Sequence, residues 1–387
     1  MKLAILGSRG IPARYGGFET FAEELATRLV RRGHSVTVFC ELSQHNPTSY
    51  RGVQLEYVKA SPWGALSTIR FDLTSLWRVR KGFDFVYMLG YGASFFCWLP
   101  RLYGTQLWIN MDGLEWTRTK WNAIARLYLR ASEAIATLTP NRIIADASAM
   151  KANLESRYSR LPICDVIPYG AEIPTQFDVE CLTEFEVSKG EYYLVVCRLE
   201  PENHISEIVE GFAQSGIARS LIVVGDRNTP TSYVRNLLRH ESSRIRFVGT
   251  VYDKLKLASM RRYCRAYIHG HSVGGTNPSL LEAMACGNVV LAHDNIFNRE
   301  VLGDSGLFFQ SSQELSKQLI ALDGGSVSDD VHRVRNADRA RTLYNWERIT
   351  DAYCELMRIS SEQLPSKRNV CVNFGPDAHL PSEMSAR

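Results

Sequence analysis

The stretch HSVGGTNPSLLEAMACG, residues 271–287, joins a double-glycine loop to the start of an apolar segment. Asn277 is a favoured N-cap residue, Pro278 suits the first helical position, and Gly287 is typical of a helix end. The pattern therefore predicts a helix over 278–286. The run AYIHG before the loop predicts a strand. Because parallel α/β sheets bind ligands at the carboxyl ends of their strands, the stretch predicts a ligand site in a doubly wound domain.

This loop and helix carry groups that suit a nucleotide diphosphate-sugar. A helix N-terminus has unpaired N–H groups and a partial positive charge, and Gly274 and Gly275 let a phosphate approach the backbone closely. Glu282 lies one turn into the predicted helix, where its carboxylate can accept hydrogen bonds from sugar hydroxyls. We assign Gly274, Gly275, Thr276, Asn277 and Glu282 to donor binding. The alternative is a capped helix with a solvent-exposed glutamate.

Strand and helix signals alternate along both halves of the chain, which predicts an α/β protein with two doubly wound, Rossmann-like domains. The segment PYGAEIPTQFDVE interrupts this rhythm and is interpreted as the crossing between domains. We predict an acceptor-binding domain over 1–172 and a nucleotide-sugar-binding domain over 173–343. A helix over 344–361 should return to the first domain, and the polar residues 362–387 should form a disordered tail.

Composition excludes several classes of protein. The 387 residues are 45% hydrophobic and 22% charged, with a net charge of +4, which is too weak to argue for nucleic-acid binding. Nine cysteines lack C-x-x-C spacing, so neither a metal site nor a disulfide framework is predicted, and a reducing cytoplasm fits best. The N-terminal MKLAILGSRG predicts a buried strand, and no apolar span of ~20 residues suggests a membrane-spanning helix.

Five motifs occur in the order typical of one enzyme family: GSRGIPARYGGFETFAEELA, NMDGLEWTRTKW, VIPYG, CRLEPEN and HSVGGTNPSLLEAMACG. Over about residues 1–360 the chain resembles the family 4 glycosyltransferases, which are retaining, nucleotide-sugar-dependent enzymes. The resemblance implies the GT-B architecture, with two domains facing across a cleft. The combination is most similar to bacterial rhamnosyltransferases of surface-polysaccharide synthesis, which implies dTDP-L-rhamnose as donor and a lipid-linked glycan as acceptor.

Two positions depart from the wider family pattern. That pattern has two glutamates separated by seven residues, and Glu282 matches the second while Gly274 stands at the first. It also has an arginine and a lysine near the donor diphosphate, and Arg198 matches while Asn203 stands at the lysine position. We interpret both as tuning to a sugar with different hydroxyls. The alternative is a catalytically degenerate GT-B protein that acts as a nucleotide-sugar sensor or scaffold, and a third reading is an epimerase of the same fold.

The resemblance gives roles to residues around the donor. Arg198 would bind the leaving diphosphate at two points; its alternative is a surface ion pair with Glu200 or Glu202. Gly16 and Gly17 would add backbone N–H groups, or form only a tight turn. His271 would contact the donor or bond the backbone. No D-x-D motif occurs, so no cofactor is expected and activity should be metal-independent.

Acceptor contacts are expected in the segment around Asp112. Asp112 follows an apolar strand and is a candidate catalytic base or acceptor-positioning group, although Asp is also a common N-cap. Glu115, Trp116 and Arg118 are assigned to acceptor binding. With Lys120, Trp121, Arg126 and Arg130 they could form a basic, aromatic helix face on the inner leaflet of the plasma membrane, or an ordinary solvated face.

Overall fold

The computed structural model describes residues 1–13, 16–59, 65–111, 113–118, 121–325 and 329–362, and these divide into two units. The first unit comprises 1–116, 121–169 and 346 onward, and the second comprises 117–120 and 170–345. The predicted tail over 362–387 lies outside the described residues apart from Glu362.

The first unit is built on an eight-stranded sheet with the order β3-β4-β2-β1-β5-β6-β7-β8. Its strands are β1 (Lys2–Leu6), β2 (Ser35–Glu41), β3 (Ser49–Tyr50), β4 (Val53–Val58), β5 (Phe85–Leu89), β6 (Gln106–Met111), β7 (Arg142–Ala145) and β8 (Ile163–Val166). All neighbouring pairs are parallel except the short hairpin β3–β4. The central strands read as continuous apolar runs because helices cover both sheet faces.

Four helices connect these strands: α1 (Gly17–Arg31), α2 (Ala65–Arg78), α3 (Ala123–Ala136) and α4 (Ser148–Arg157). Helix α1 buries Phe21, Leu25 and Leu29, which are spaced four residues apart and so share one helix face. The strand β4 and the helix α2 were not predicted from the sequence. The strand β4 lies near the sheet edge and alternates buried with exposed residues, so it lacks a continuous apolar run.

The second unit has a six-stranded, fully parallel sheet with the order β11-β10-β9-β12-β13-β14. Its strands are β9 (Tyr192–Val196), β10 (Ser220–Val224), β11 (Ile245–Gly249), β12 (Tyr267–His269), β13 (Val290–His293) and β14 (Leu307–Phe309). Its helices are α5 (Ile205–Ser215), α6 (Ser232–Leu238), α7 (Lys254–Tyr263), α8 (Pro278–Ala285), α9 (Ile296–Leu302), α10 (Ser312–Asp323) and α11 (Asp329–Leu343). Helices α5 and α10 pack together over an apolar core that includes Phe212 and Leu319.

The last described helix, α12 (Trp346–Glu362), belongs to the first unit. It buries Ile349, Tyr353 and Leu356, and the Tyr353 hydroxyl lies 2.8 Å from that of Tyr87 in β5. The helix begins two residues later than the predicted start at 344. The reason is that the Tyr344 carbonyl accepts a hydrogen bond from the Ala171 N–H, at 2.6 Å, in the second unit.

Candidate functional site

The glycine loop and α8 stand at the carboxyl end of β12 in the second unit. The Asn277 side chain accepts a hydrogen bond from the Ser279 N–H, at 2.9 Å, and so caps α8 as predicted. Gly274 has a φ of +116°, a backbone conformation that side chains disfavour. The helix ends at Ala285, one residue before the predicted end, and Gly287 follows with a φ of +70°. The N-terminus of α8 is therefore an ordered, glycine-flanked helix start.

Glu282 is oriented by a buried arginine that sequence analysis did not identify. The Arg261 guanidinium of α7 lies 2.6 Å from the Glu282 carboxylate and is only 4% exposed, whereas the Glu282 side chain is 39% exposed. Arg261 also reaches the Ser279 hydroxyl, at 3.3 Å, which in turn lies 2.8 Å from the Tyr267 hydroxyl. Glu282 is thus neither a free surface residue nor fully paired. One side of it is held, and the other is open to a ligand.

Asn203 gives the departure from the family lysine a structural explanation. Its amide nitrogen donates to the Arg198 carbonyl, at 2.7 Å, and its amide oxygen lies 2.9 Å from Nδ1 of His271. The amide supplies a donor and an acceptor at once, whereas a lysine ammonium supplies donors alone. Asn203 also lies against Gly270, where an added Cβ would overlap the Asn203 carbonyl oxygen. The Arg198 loop and the glycine loop are consequently tied together by one buried amide.

Two arginines and two glutamates form a charge cluster beside these loops in the second unit. The Arg198 side chain is 40% exposed and lies 3.4 Å from the Glu200 carboxylate. The half-buried Arg118 lies 3.8 Å from Glu200 and 3.5 Å from the buried Glu202. Burial raises the pKa of the Glu202 carboxyl. Arg198 is the more accessible of the two cations, so an incoming diphosphate would compete with Glu200 for it.

Histidines beside this cluster are held neutral. Burial, together with the charges of His269, Arg118 and Arg198, lowers the pKa of His271 well below its ordinary value. Burial also lowers the pKa of His269 to about 3 and that of His293 to about 4. A neutral imidazole can hydrogen-bond a ligand without adding charge. Arg198 therefore supplies the accessible positive charge of this site.

In the first unit, Gly16 and Gly17 stand at the start of α1. Gly16 has a φ of +118°, and an added Cβ would overlap the Glu19 carboxylate. That carboxylate accepts a hydrogen bond from the Arg9 N–H, at 2.8 Å. The positive φ is sufficient to explain a glycine at 16, and a donor role for Gly16 and Gly17 stays a prediction.

The expected helix face from Glu115 to Arg130 is wrong as a single surface. Helix α3 begins only at Ala123, because the Asn122 side chain caps it by accepting from the Ala125 N–H. Glu115 lies in a separate 3-10 turn, where its N–H donates to the Tyr91 hydroxyl at 2.8 Å. The predicted Asp112 and Lys120 lie outside the described residues.

Trp116 and Arg118 are not presented on α3 either. The Trp116 indole N–H donates to Glu133, at 2.9 Å, and the Arg130 guanidinium lies 5.5 Å from the indole ring. Arg118 belongs to the second unit, in the charge cluster described above. Of the predicted basic face, α3 itself exposes Arg126 and Arg130.

The missed residues share one property, which is that their roles depend on distant partners. Arg261 resembles any basic residue in an amphipathic helix, and Gly270 resembles any glycine at a strand end.

Among the described residues, no group of three or more His, Cys, Asp or Glu side chains could hold a metal ion. The eight described cysteines are free thiols. No helix in the described part of the chain has both the length and the apolar character needed to cross a bilayer.

Two known families match the chain, each over a different part of it. Residues 1–172 match the family described as Domain of unknown function (DUF1972), and residues 183–324 match Glycosyl transferases group 1. The second unit therefore carries a glycosyltransferase group 1 domain. No curated protein sequence matches the chain.

Solved structures share the fold over nearly the whole chain. Sucrose-phosphate synthase from Thermosynechococcus elongatus superposes with a TM-score of 0.78 at 18% identity, covering 94% of this chain and 99% of its own. Anabaena HepE in complex with UDP-glucose has a TM-score of 0.74 at 15% identity, covering 93% and 100%. An α,α-trehalose-phosphate synthase (UDP-forming) from Burkholderia vietnamiensis has a TM-score of 0.70 at 12% identity, also covering 93% and 100%. The predicted fold class, α/β with two Rossmann-like units of the GT-B type, is confirmed.

Proposed function

We propose that this protein is a retaining glycosyltransferase that moves a sugar from a nucleotide diphosphate donor to a glycan acceptor. The main support is the arrangement of polar groups within its glycosyltransferase group 1 domain. There the accessible Arg198, the capped N-terminus of α8 and the half-exposed Glu282 adjoin the carboxyl edge of one parallel sheet. A cation, helix N–H groups and a hydroxyl acceptor are the groups that a diphosphate-sugar requires.

The proposed chemistry uses each group at a defined stage. The α8 N-terminus, with Gly274, Gly275, Thr276 and Asn277, binds the diphosphate. As the glycosidic bond breaks, negative charge grows on the leaving diphosphate, and Arg198 gains most from that growth.

Glu282, held by Arg261, accepts from hydroxyls of the bound nucleotide-sugar, and the neutral His271 contacts the sugar or diphosphate. The departing phosphate takes the acceptor proton while Asp112 orients the acceptor with Glu115 and Trp116.

For the donor, we propose dTDP-L-rhamnose. Gly274 removes the carboxylate that the wider family places beside the sugar, which suits a sugar with different hydroxyl stereochemistry or without a 6-hydroxyl. The neighbour HepE was solved with UDP-glucose, which supports a nucleotide-sugar but makes a uridine donor the main competitor. The proposal needs no metal ion, because Arg198 and the helix N–H groups carry the charge stabilisation. Loss of transfer in EDTA would contradict this part.

The first experiment is a thermal-shift screen without added metal. The ligands are dTDP, UDP, GDP and ADP, followed by dTDP-rhamnose, UDP-glucose and UDP-GlcNAc. A ligand at a hundred times its Kd should stabilise the protein by about 2.7 kcal/mol. A selective shift with dTDP ligands supports rhamnose, and a selective uridine shift retains the transferase but overturns rhamnose. Binding without any turnover of the bound donor would favour the sensor or scaffold alternative, and no shift with any nucleotide would overturn the proposal.

We further propose that the acceptor is lipid-linked and that the protein works at the cytoplasmic face of the plasma membrane. Helix α3 supports this, because Ile124 and Leu127 are highly exposed beside the exposed Arg126 and Arg130. Apolar side chains flanked by arginines suit an anionic bilayer surface. Flotation with phosphatidylglycerol vesicles should weaken about tenfold or more in Ile124→Ser/Leu127→Ser. The control Ile320→Ser, at an exposed apolar position of α10, should leave flotation unchanged.

A further inference from the structure

His204 occupies a backbone conformation that side chains rarely adopt. It joins the 3-10 turn Pro201–Asn203 to α5, with a φ of +48° and a ψ of +34°. This left-handed region suits glycine best and is uncommon for any other residue. No role for His204 follows from the sequence, and its backbone gives no reason for an imidazole. The reason therefore lies in what the ring contacts.

Both ring nitrogens of His204 have polar partners within the second unit. Nδ1 lies 3.1 Å from the Glu207 carboxylate, and Nε2 lies 2.9 Å from the Ser272 hydroxyl. Because a carboxylate only accepts, Nδ1 carries a hydrogen and Nε2 is left to face the serine. The Ser272 hydroxyl can satisfy Nε2 in either protonation state of the ring, since a hydroxyl both donates and accepts. The ring also stacks on His293, with centroids 3.9 Å apart, so three neighbours hold it in place.

Ser272 is the second residue of the glycine loop, the segment 271–276. Its N–H donates to the Glu202 carbonyl, at 3.1 Å, and its hydroxyl lies 3.2 Å from the same oxygen. The turn before α5 therefore holds the loop through both backbone and side chain. An anchor at Ser272 limits the conformations open to Gly274 and Gly275, which as glycines lose the most backbone freedom when a ligand orders them. Such preorganisation lowers the entropy cost of binding.

We propose that His204 is a positioning residue, which fixes the glycine loop through Ser272 in the conformation that receives a nucleoside diphosphate. The inference rests on the glycosyltransferase function above. It deepens that function by assigning a residue that prepares the diphosphate site before the ligand arrives. His204 acts on the donor through Ser272 and takes no part in bond breaking.

Calorimetric titration of two conservative variants with dTDP, UDP, GDP and ADP separates the anchor from the backbone conformation. His204→Gln places an amide near Nε2 and can still reach Ser272, whereas His204→Asn places one near Nδ1 and can reach only Glu207. Asparagine tolerates the left-handed region better than glutamine, so a purely conformational role ranks His204→Asn above His204→Gln. The anchor reverses that order. His204→Asn should bind the nucleotide that the wild type binds about three- to tenfold more weakly, and His204→Gln should stay within about twofold.

The partner serine provides a second test. Ser272→Ala should weaken nucleotide binding by about the same factor, and His204→Asn/Ser272→Ala should lose no more than either single variant, because both remove the same bond. Glu186→Gly is the matched control, since Glu186 also has a positive φ, of +49°, but its exposed side chain pairs with Arg246; nucleotide binding should stay unchanged. His204→Asn binding as tightly as the wild type, or additive losses in the double variant, would overturn the anchor. Thermal unfolding of each variant checks that it is folded.

Hydrogen exchange of residues 271–277 in the ligand-free protein separates this proposal from the proposed function. Faster exchange in His204→Asn and Ser272→Ala, but not in His204→Gln, supports the anchor. Unchanged exchange in a protein that binds a nucleotide would overturn the anchor and retain the transferase, and faster exchange with unchanged affinity would overturn the positioning role alone. If the wild type binds none of the four nucleotides, the transferase and the role toward a diphosphate are both overturned, while the exchange result still decides whether His204 fixes the loop.

Discussion

Replacing Asp72 by Asn should stabilise the protein, and more strongly at high pH than at low pH. Burial raises the pKa of the Asp72 carboxyl to about 7, although Arg9 opposes the rise. Ionised Asp72 is therefore costly in the folded state, while in the unfolded chain it ionises near 3.8. Asparagine has nearly the same shape as the protonated acid but cannot ionise. The substitution removes the cost of charging a buried group whose Oδ1 atom has no hydrogen-bond partner among the described residues.

The size of the effect follows from proton linkage. The folded pKa lies above the unfolded value, so the stability that protonated Asp72 retains at low pH is lost as the pH rises from about 4 to about 7. A separation of about 3 pKa units corresponds to about 4 kcal/mol at pH values near 8. At about pH 5 only about 1.5 kcal/mol has been lost, because this pH lies only about one unit above the pKa of Asp72 in the unfolded chain. The gain from Asp72→Asn should thus differ by about 2.5 kcal/mol between these pH values.

Differential scanning calorimetry at about pH 5 and pH 8 measures this difference, since two units can unfold in separate transitions. Each kcal/mol should raise Tm by roughly 2–4 °C for a unit of this size. The neighbouring Cys97 thiol does not interfere, because burial raises its pKa far above this range. Asp351→Asn is the control. It removes an exposed ion pair with Arg32, at 2.8 Å, and should therefore change stability by the same small amount at both pH values. An equal gain at both pH values, or a loss at pH 8, would refute the reasoning.

Three further predictions concern the second unit. Arg198→Ala should lower kcat in steady-state kinetics by roughly 10²-fold or more, because the charge that develops in the transition state loses its cation. The control Arg227→Ala, at a comparably exposed ion pair, should leave kcat unchanged. An unchanged kcat for Arg198→Ala would show that Arg198 is not part of the site. Gly270→Ala should cost roughly 1–3 kcal/mol in urea unfolding, because its Cβ meets a backbone carbonyl, whereas Gly92→Ala, with open space around the Cβ, should be neutral or slightly stabilising. Glu282→Ala should lower the stability of the protein by roughly 1–3 kcal/mol, because it leaves the buried Arg261 guanidinium without its carboxylate. It should also lower donor affinity in calorimetric titration, and an unchanged affinity would contradict the donor role of Glu282.

Features with local causes were predictable from the sequence. The capped start of α8 depends on Asn277 and Pro278, which act on the next few residues, and the structure reproduces it to within one residue at the helix end. Buried strands such as β5 and β9 are visible as short apolar runs because both sheet faces are covered. The one failed surface, from Glu115 to Arg130, shows the limit. A run of basic and aromatic residues does not reveal where Asn122 starts a new helix.

The sequence by itself determined the architecture of this protein and the capped start of α8, because alternating apolar runs and helix caps are encoded within a few residues. Only the tertiary structure decided how the side chains pair. Asn203 and His271 lie 68 positions apart and meet because β9 and β12 are neighbours in the sheet. Ser8 and Asp72 share a pocket because β1 ends beneath α2. Parallel strands need long crossover connections, so the residues that meet at a sheet edge are distant in sequence, and no local pattern can identify them.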